Sequence, residues 1–268
     1  MLEPLRQMFR QKEPRRRKSG PAVPDGERYY VVGDIHGCLD LFMALADAIE
    51  QDDKARGDAE TTIILLGDLV DRGPDSAGVI AFARQWQSRR GVRILAGNHE
   101  QMFLESFEDI DVLKHFLKYG GRETLLSYDL DRKEYNRLSL EELYERLPQI
   151  VPEADREFVE DFEYMIEAGN YLFVHAGINP ERPVEKQKRK DLLWIRERFL
   201  NHDGPFSHVI VHGHTIFDEV ENRGNRIGVD TGAYNSGRLT ALVLEGTEQR
   251  SIAAVEEDGV ITIETEEY

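Results

Sequence analysis

The sequence predicts an α/β fold in which two packed mixed β-sheets are flanked by helices, with a helical cap region. In the N-terminal part, apolar segments with β-branched residues alternate with segments of helical spacing, as in βαβ units. In the C-terminal part short strands separated by glycine-containing turns dominate, which favours two packed sheets over one doubly wound sheet. Polar loops follow five of the strands, and ligands bind outside the carboxyl ends of strands in such sheets.

The first three predicted strands each run into a polar, glycine-containing loop. The strands cover residues 29–32, 63–66 and 92–95. The loops after them read Gly-Asp-Ile-His-Gly, Gly-Asp-Leu-Val-Asp-Arg-Gly and Gly-Asn-His-Glu. Buried strands deliver these polar side chains to a sheet edge, and the glycines let the backbone turn sharply and approach a ligand. A single site shared by three loops is therefore expected.

Amphipathic segments follow the first two of these strands and the third loop. Residues 39–49 and 76–86 show helical spacing, and residues 101–168 are predicted to be mainly helical. This long segment separates the third and fourth polar loops, so a helical cap beside the site is one interpretation; ordinary core helices are equally compatible. Its apolar residues at helical spacing are Leu113, Phe116, Leu117, Leu140, Leu143, Leu147, Phe158, Phe162, Met165 and Ile166.

Two later strands repeat the arrangement of the first three. Residues 171–174 end at His175, and residues 209–211 end in a loop that contains His212 and His214. Further strands are predicted at 227–229, 239–244, 252–255 and 260–263.

The chain is expected to form one catalytic domain over residues 27–268, because 40% hydrophobic composition is enough for a substantial core. Residues 1–26 are basic and contain proline, so a disordered tail is expected there. A weak membrane-surface or partner-docking segment is the alternative, because the basic cluster at 15–18 would suit anionic lipid.

Charge and cysteine content narrow the partners and the compartment. The net charge is −17; residues 1–20 carry seven basic and two acidic side chains, which leaves −22 on the rest. Nucleic acid is therefore not an expected partner, and an anionic substrate needs local arginines. A single cysteine, Cys38, no signal peptide and no apolar run of membrane-spanning length together predict a cytoplasmic protein without stable membrane insertion. The oligomeric state is left open.

The strand-end residues form a donor set of carboxylate, amide and imidazole groups without thiolate. Such a set suits Mn, Fe, Zn or Co better than calcium or a structural zinc. Because Asp68 has two oxygens that can bridge, two metals are the economical interpretation. A paired centre could activate a water and clamp an oxyanion for displacement at phosphorus. The residues are Asp34, His36, Asp68, Asn98, His175 and His214.

The three N-terminal loops closely resemble the signature motifs of the PPP phosphoprotein phosphatases, within the calcineurin-like metallophosphoesterases. Later elements match as well: His175-Ala-Gly, the segment around Trp194 and Arg196, and Gly-His214-Thr. The resemblance spans roughly residues 29–240 and is closest to the bacterial and phage branch. It implies the calcineurin-like fold and a metal-dependent phosphatase of phosphoserine and phosphothreonine, with phosphotyrosine as a further possibility.

The resemblance also implies a role for each site residue. Arg72 and Arg196 would bind phosphoryl oxygens, because a planar guanidinium can donate two bonds to one group. His99, oriented by Asp71, would protonate the leaving alkoxide, and a metal-bridging hydroxide would attack directly. Two divalent ions are implied, with Mn as the first choice in vitro and Fe or Zn as alternatives. The first metal would be held by Asp34, His36 and Asp68, and the second by Asp68, Asn98, His175 and His214.

Some residues distinguish a phosphoprotein phosphatase from related phosphoesterases. Many relatives carry arginine where this chain has Ala96, so a phosphate contact made elsewhere is missing or replaced here. Symmetrical diadenosine tetraphosphate hydrolases share the scaffold but usually lack the counterparts of Asp71 and Glu100, both of which are present. Other small phosphoesters stay open as substrates, and a noncatalytic phosphate-binding module is the lower alternative.

Several neighbouring residues are expected to be structural. Trp194 is predicted to pack in the core, Cys38 to be a small buried side chain, and Asp230 to organise its loop in support of the site. His212 is expected to be a core or supporting residue rather than a ligand. Structural roles are also expected for His115, His202 and His208.

Overall fold

The computed structural model describes residues 20–268. Two β-sheets pack face to face, with helices on the outer sides. The strands are β1 (Glu27–Val32), β2 (Glu60–Leu65), β3 (Val92–Ile94), β4 (Met165–Ala168), β5 (Tyr171–Val174), β6 (Val209–His212), β7 (Glu221–Asn222), β8 (Arg226–Gly228), β9 (Arg238–Glu245), β10 (Glu248–Glu257) and β11 (Val260–Glu267). The helices are α1 (Leu39–Arg56), α2 (Ser76–Gln87), α3 (Asn98–Glu105), α4 (Ile110–Phe116), α5 (Arg122–Ser127), α6 (Arg132–Tyr135), α7 (Leu140–Ile150), α8 (Glu153–Glu160), α9 (Arg189–Trp194), α10 (Glu197–Leu200) and α11 (Ala233–Ser236).

Both sheets are mixed. The six-stranded sheet has the order β11-β10-β9-β1-β2-β3, in which β1, β2 and β3 are parallel and the remaining pairs are antiparallel. The five-stranded sheet has the order β4-β5-β6-β8-β7, in which β5, β6 and β8 are parallel and both edge strands are antiparallel. The parallel strands lie at one end of the six-stranded sheet and at the centre of the five-stranded sheet, and they bring several carboxyl ends together, as the loop pattern predicts.

A buried apolar layer joins the two sheets. Val31 and Ile64 from the first sheet share a cluster with Phe173, Val211 and Ile227 from the second. All five side chains are fully buried, and side chains from two inner faces interdigitate in this way in packed sheets. The predicted fold class, two packed mixed sheets flanked by helices, is confirmed.

The long helical segment packs as core and also reaches the site. Leu113, Phe116 and Leu147 lie fully buried in the same cluster as the inner faces of α1 and α2. A wide turn at Leu117–Gly121 then carries the chain back towards the strand ends, where the carbonyl of Gly120 accepts the N–H of Arg72. One part of the segment therefore forms core helices, and another part lies beside the site as the cap interpretation predicts.

The prediction that helix continues through Met165 and Ile166 is wrong, because both residues lie in β4, antiparallel to β5. A short apolar run is compatible with both the helical and the strand period. Here pairing with β5 makes the segment a strand.

Helix starts follow local capping chemistry. Asp75 accepts the N–H of Gly78 at the start of α2, and Ser139 and Glu142 form a reciprocal capping box at the start of α7. The start of α2 coincides with the predicted one.

The predicted tail boundary at residue 26 lies too far along the chain. Ala22 exchanges two hydrogen bonds with Asn170, and the N–H of Val23 donates to the carbonyl of Gly246. Val23 is also buried among the residues between the sheets. The rest of the predicted tail, residues 1–19, lies outside the described residues. Within residues 20–268 no helix is both long enough and apolar enough to cross a membrane.

Candidate active site

Five loops meet at the carboxyl ends of parallel strands of the two sheets. Three of them follow β1, β2 and β3, and two follow β5 and β6. The polar and charged side chains of these loops are buried. Because they are shielded from water, they need hydrogen-bond or charge partners among one another. The six predicted ligands in these loops and in the first turn of α3 are Asp34, His36, Asp68, Asn98, His175 and His214.

The backbone of these loops is unusual. Within residues 20–268, six non-glycine residues have positive φ, and five of them belong to these loops: His36, Asp68, Asp71, Arg72 and His214. A conformation of this kind costs about 1–3 kcal/mol per residue and persists only where surrounding bonds hold it. Its concentration in one place makes these loops the candidate functional site.

Close approach between two loops explains one glycine of the third motif. A Cβ at Gly97 would lie 2.1 Å from Oδ1 of Asp68 and 2.4 Å from its backbone nitrogen. Any side chain at position 97 would therefore push the second and third loops apart and displace the Asp68 carboxylate.

Asp68 lies between two groups of imidazoles. Its Oδ2 is 3.5 Å from Nε2 of His36 and 4.0 Å from Nε2 of His99, and its Oδ1 is 3.4 Å from Nε2 of His175. Two sets of three donors can be drawn, and within each set the donor atoms lie within 4.8 Å of one another. One set is His36, Asp68 and His99, and the other is Asp68, His175 and His214. The carboxylate is thus common to both sets and presents a different oxygen to each.

Asn98 and Asp34 complete the convergence. Oδ1 of Asn98 is 3.1 Å from Nε2 of His175. Both oxygens of Asp34 accept the backbone N–H of His214, at 3.0 and 3.2 Å. Burial, together with the nearby carboxylates of Asp230 and Asp68, raises the pKa of Asp34. All six predicted ligands are therefore brought together, with Asp34 beside the two donor sets rather than within either of them.

The imidazoles are held with Nε2 towards the centre. Nδ1 of His36 donates to the carbonyl of Val70 and Nδ1 of His175 to that of Leu66, both at 2.8 Å. A carbonyl can only accept, so Nε2 carries the lone pair. Burial lowers the pKa of His36 to about 3 and that of His214 to about 2.

The donor chemistry fits divalent transition metals. Neutral imidazoles with an inward lone pair, a carboxylate shared by two sets and an amide oxygen are ligands of borderline metal ions. Nε2 of His214 is buried and has no hydrogen-bond partner within the described chain. A buried nitrogen of this kind calls for a partner, and a metal ion would supply it.

A second buried pair lies at the edge of the cluster. Nδ1 of His99 donates to Oδ2 of Asp71 at 2.6 Å, and Oδ1 of Asp71 accepts the hydroxyl of Thr124 at 2.6 Å. Burial lowers the pKa of His99, because it disfavours the charged imidazole. The carboxylates of Asp68 and Asp71 have the larger combined effect, so the pKa is raised overall. The predicted acid and its orienting carboxylate are in contact, and Thr124 of α5 fixes the carboxylate in turn.

Glu100 is a residue to which the sequence analysis gave no structural role. Its carboxylate accepts the backbone N–H groups of Asp68, Leu69 and Gly97, at 2.7–2.8 Å. Burial and the charge of Asp68 raise the pKa of Glu100 to about 7. One side chain thereby joins the second loop to the third. The sequence signal was its place three residues after Gly97, where a capping-box glutamate reaches back to the backbone.

Arg72 lies inside the cluster rather than at its rim. One guanidinium nitrogen is 2.8 Å from Nε2 of His36 and the other is 2.8 Å from Nε2 of His99. The guanidinium also lies over the ring of Tyr234, with Cζ 4.8 Å from the ring centroid. Tyr234 was not among the predicted site residues, and no motif pattern in the sequence indicated it.

Arg196 is exposed and follows α9. Its link to the cluster is electrostatic: burial is the largest cause that lowers the pKa of His175 and of His214, and the charge of Arg196 lowers both further. The prediction that Trp194 packs in the core is wrong: its side chain is 37% exposed and its Nε1 donates to Oε1 of Gln101 at 2.8 Å. The indole N–H needs a polar partner, which it finds on α3 rather than in an apolar core.

The supporting residues largely follow expectation. His212 is buried outside both donor sets, and Asp230 is buried and accepts the N–H of Gly232. Burial lowers the pKa of His212 to about 4. Cys38 is only partly buried, which corrects the prediction of a buried side chain.

Comparisons with known proteins agree with this geometry. A family model described as calcineurin-like phosphoesterase matches residues 27–234. The chain is 30% identical to serine/threonine-protein phosphatase 1 of Salmonella typhimurium, over 79% of this chain and 89% of that protein. It is 27% identical to an asymmetrical bis(5'-nucleosyl)-tetraphosphatase of Oceanobacillus iheyensis, over 84% of this chain and 91% of that protein. The crystal structure of a cold-active protein-tyrosine phosphatase from a psychrophilic Shewanella matches with a TM-score of 0.56 and 20% identity, over 91% of this chain and 83% of that one.

Fold and donor cluster together define a metallophosphoesterase, an enzyme that hydrolyses phosphoesters with the help of bound metal. The chain belongs to the calcineurin-like phosphoesterase family. The phosphatase relative supports the enzyme class of phosphoric monoester hydrolases.

Proposed function

We propose that this chain is a phosphoprotein phosphatase that hydrolyses phosphoserine and phosphothreonine, and that phosphotyrosine should be tested as a third substrate. The observation that carries the proposal is the Asp68 carboxylate, which faces one imidazole set with each oxygen. The buried pair of His99 and Asp71 adds a proton donor beside it. The name of the Salmonella relative supports a phosphoprotein as the substrate.

We assign two divalent metal ions to the cluster, with Asp68 shared between them. When bound, they would lower the pKa of the attacking water and neutralise charge on the phosphate. Mn is the first choice for assays in vitro, with Fe and Zn as alternatives. Asp34, His36 and Asp68 would hold the first ion, and Asp68, Asn98, His175 and His214 would hold the second.

The residues of the chain then perform the remaining work. Arg72 and Arg196 bind nonbridging phosphate oxygens, and Arg72 must leave His36 and His99 to do so. Its departure frees Nε2 of His99 to face the leaving oxygen. The attacking water gives up one proton to solvent and its oxygen bonds to phosphorus, the bond from phosphorus to the seryl oxygen breaks, and His99 delivers its own proton to that oxygen. Asp71 keeps the imidazole in the donating orientation.

A hydrolase of bis-nucleosyl tetraphosphates is the second candidate, because the Oceanobacillus relative of that name covers 84% of this chain. Asp71 favours the first candidate. An alkoxide such as that of serine leaves poorly without a proton, whereas a departing phosphate group needs far less assistance. An orienting carboxylate on the acid is thus most useful for alkyl phosphoesters.

The test compares kcat/KM for phosphoserine peptides and for diadenosine tetraphosphate, with purified protein in metal-defined buffer containing Mn. A clear preference for phosphopeptides supports the proposal. A preference for the dinucleotide selects the second candidate. Hydrolysis of neither, nor of para-nitrophenyl phosphate, would indicate a noncatalytic phosphate-binding module.

A further inference from the structure

An open pocket of about 430 Å³ lies beside the candidate active site. Leu39, Pro74 and Tyr234 form its apolar surface, and Asp40, Asp75 and Glu256 are its acidic residues. Its walls come from the segments directly after the first and second motif loops, from α11 and from the end of β10.

Tyr234 forms a wall between this pocket and the site. Its ring centroid is 5.3 Å from that of His36 and 4.8 Å from Cζ of Arg72. The tyrosine is 39% exposed, so its ring remains available to a ligand on the pocket side. A group bound in the pocket therefore lies next to whatever occupies the phosphate position at Arg72.

The charge of the pocket is one-sided. No lysine, arginine or histidine lines it, and within residues 20–268 none of its three carboxylates takes part in an ion pair. Asp75 is engaged by the N–H of Gly78, whereas Asp40 and Glu256 are exposed. By contrast, the pocket between α1 and α2 holds Glu50 paired with Arg90. Three unneutralised carboxylates attract a cation and repel further phosphate groups.

We propose that this pocket binds a lysine or arginine side chain that flanks the phosphorylated residue of the substrate. This inference rests on the proposed phosphatase function. The aliphatic stem would lie against Leu39, Pro74 and Tyr234, and the charged end would lie among Asp40, Asp75 and Glu256. Basic side chains bind in this way, with the stem on apolar surface and the head on polar groups or an aromatic face. Consecutive Cα atoms are about 3.8 Å apart, so a long side chain of a flanking residue spans the width of one tyrosine ring.

The pocket thereby separates two substrate classes at one site. A phosphopeptide with a flanking basic residue gains a contact there. The extra phosphates of a nucleoside polyphosphate meet three carboxylates instead. The preference lies in substrate binding, because none of these carboxylates contacts the proposed acid or the donor cluster.

The experiment uses the metal-loaded full chain and phosphoserine peptides that differ only in a flanking arginine, alanine or glutamate, placed in turn at each position on either side. We expect wild-type kcat/KM to favour the arginine peptide over the alanine peptide by about fivefold at one or two positions, the upper range for exposed ion pairs. Glu256→Gln should weaken this preference, and Glu256→Lys should reverse it in favour of glutamate. The rate on para-nitrophenyl phosphate should not change.

Glu248→Lys is the matched control, because it makes the same charge change on an exposed residue at the other end of β10 and should leave the preference intact. Equal kcat/KM for all three peptides in the wild type, or an unchanged preference in Glu256→Lys, overturns the pocket assignment alone. Failure to hydrolyse any phosphopeptide, with para-nitrophenyl phosphate still hydrolysed, overturns the proposed function and the pocket assignment with it.

Discussion

The donor cluster and the rim around it differ in how firmly each side chain is held. In the cluster, His36, Asp68 and His175 are at most 2% exposed, and each is bonded to a group from another loop. At the rim, Trp194 is more than a third exposed, and the guanidinium of Arg196 forms no hydrogen bond or ion pair within residues 20–268. The side chains of the cluster are therefore fixed by neighbouring loops, whereas those of the rim have few contacts within residues 20–268.

This difference predicts two kinds of mutational effect. Changes in the cluster should abolish metal binding or chemistry on every substrate, because many groups depend on each residue. Changes at the rim should raise KM, by amounts that depend on the substrate.

Asp68→Asn should have the largest effect. The amide keeps the shape of the carboxylate but loses its charge and one acceptor oxygen, so it cannot serve both imidazole sets. We expect metal content to fall and kcat/KM to drop by at least about 10⁴-fold, since metal ions contribute several kcal/mol to such reactions. Elemental analysis and phosphatase assays on the desalted protein provide the measurement.

Asp131→Asn is the control for that change, because Asp131 is an exposed carboxylate that caps α6 away from the cluster. It should keep full metal content and activity. Two metals retained by Asp68→Asn would contradict the shared-carboxylate assignment.

His99→Asn should spare the metals but slow the chemistry. Loss of a general acid lowers the rate by about 10²–10⁴-fold on substrates whose leaving group needs a proton. The effect on para-nitrophenyl phosphate should be much smaller, since its leaving group departs as a stable anion. The measurement is kcat on a phosphoserine peptide and on the nitrophenyl ester, together with metal content.

His115→Asn makes the same change on an exposed histidine and should alter neither rate. A normal rate for His99→Asn on the peptide would remove the acid role, and lost metal would instead make His99 a ligand, as its distance to Asp68 allows.

The sequence predicted the cluster better than the rim for a physical reason. Strand ends combine a strong apolar pattern with rare polar residues, so the positions of Asp34, Asp68 and His175 follow from the strands alone. Their convergence also follows, because parallel strands place their carboxyl ends at one edge. The donor types indicated transition metals, whereas the phosphoprotein substrate and the role of each residue came from the resemblance.

The supports and the rim depend on contacts that no local pattern indicates. Thr124 lies 53 residues from Asp71, and Gln101 lies 93 residues from Trp194. Tyr234 reaches Arg72 only because α11 folds back to the strand ends. The core position predicted for Trp194 is wrong because its N–H needs a polar partner, which lies on α3.

Arg196→Ala should have a moderate effect that is confined to binding. Removing one charge-assisted contact to phosphate costs about 1.5–3 kcal/mol, which corresponds to a roughly 10- to 100-fold loss in kcat/KM, mainly through KM. Arg198→Ala provides the control, because Arg198 is an exposed arginine two residues away that pairs with Glu181. It should stay within about twofold of the wild type. An equal loss of kcat/KM in the two variants would show that substrate binding depends only on positive charge near the site and not on a specific contact from Arg196.

The smallest predicted effect concerns the bond between Trp194 and Gln101, which ties the end of α9, just before Arg196, to the helix that begins next to His99. Trp194→Phe removes the N–H and keeps an aromatic ring, and Gln101→Leu removes the acceptor. Each should raise KM for phosphopeptides about threefold and leave kcat unchanged, the lower end for one hydrogen bond. The double variant should be no worse than either single variant, because the same bond is lost in all three. Additive effects would mean that the two side chains act separately, and unchanged KM values would mean that substrate alone orders Arg196.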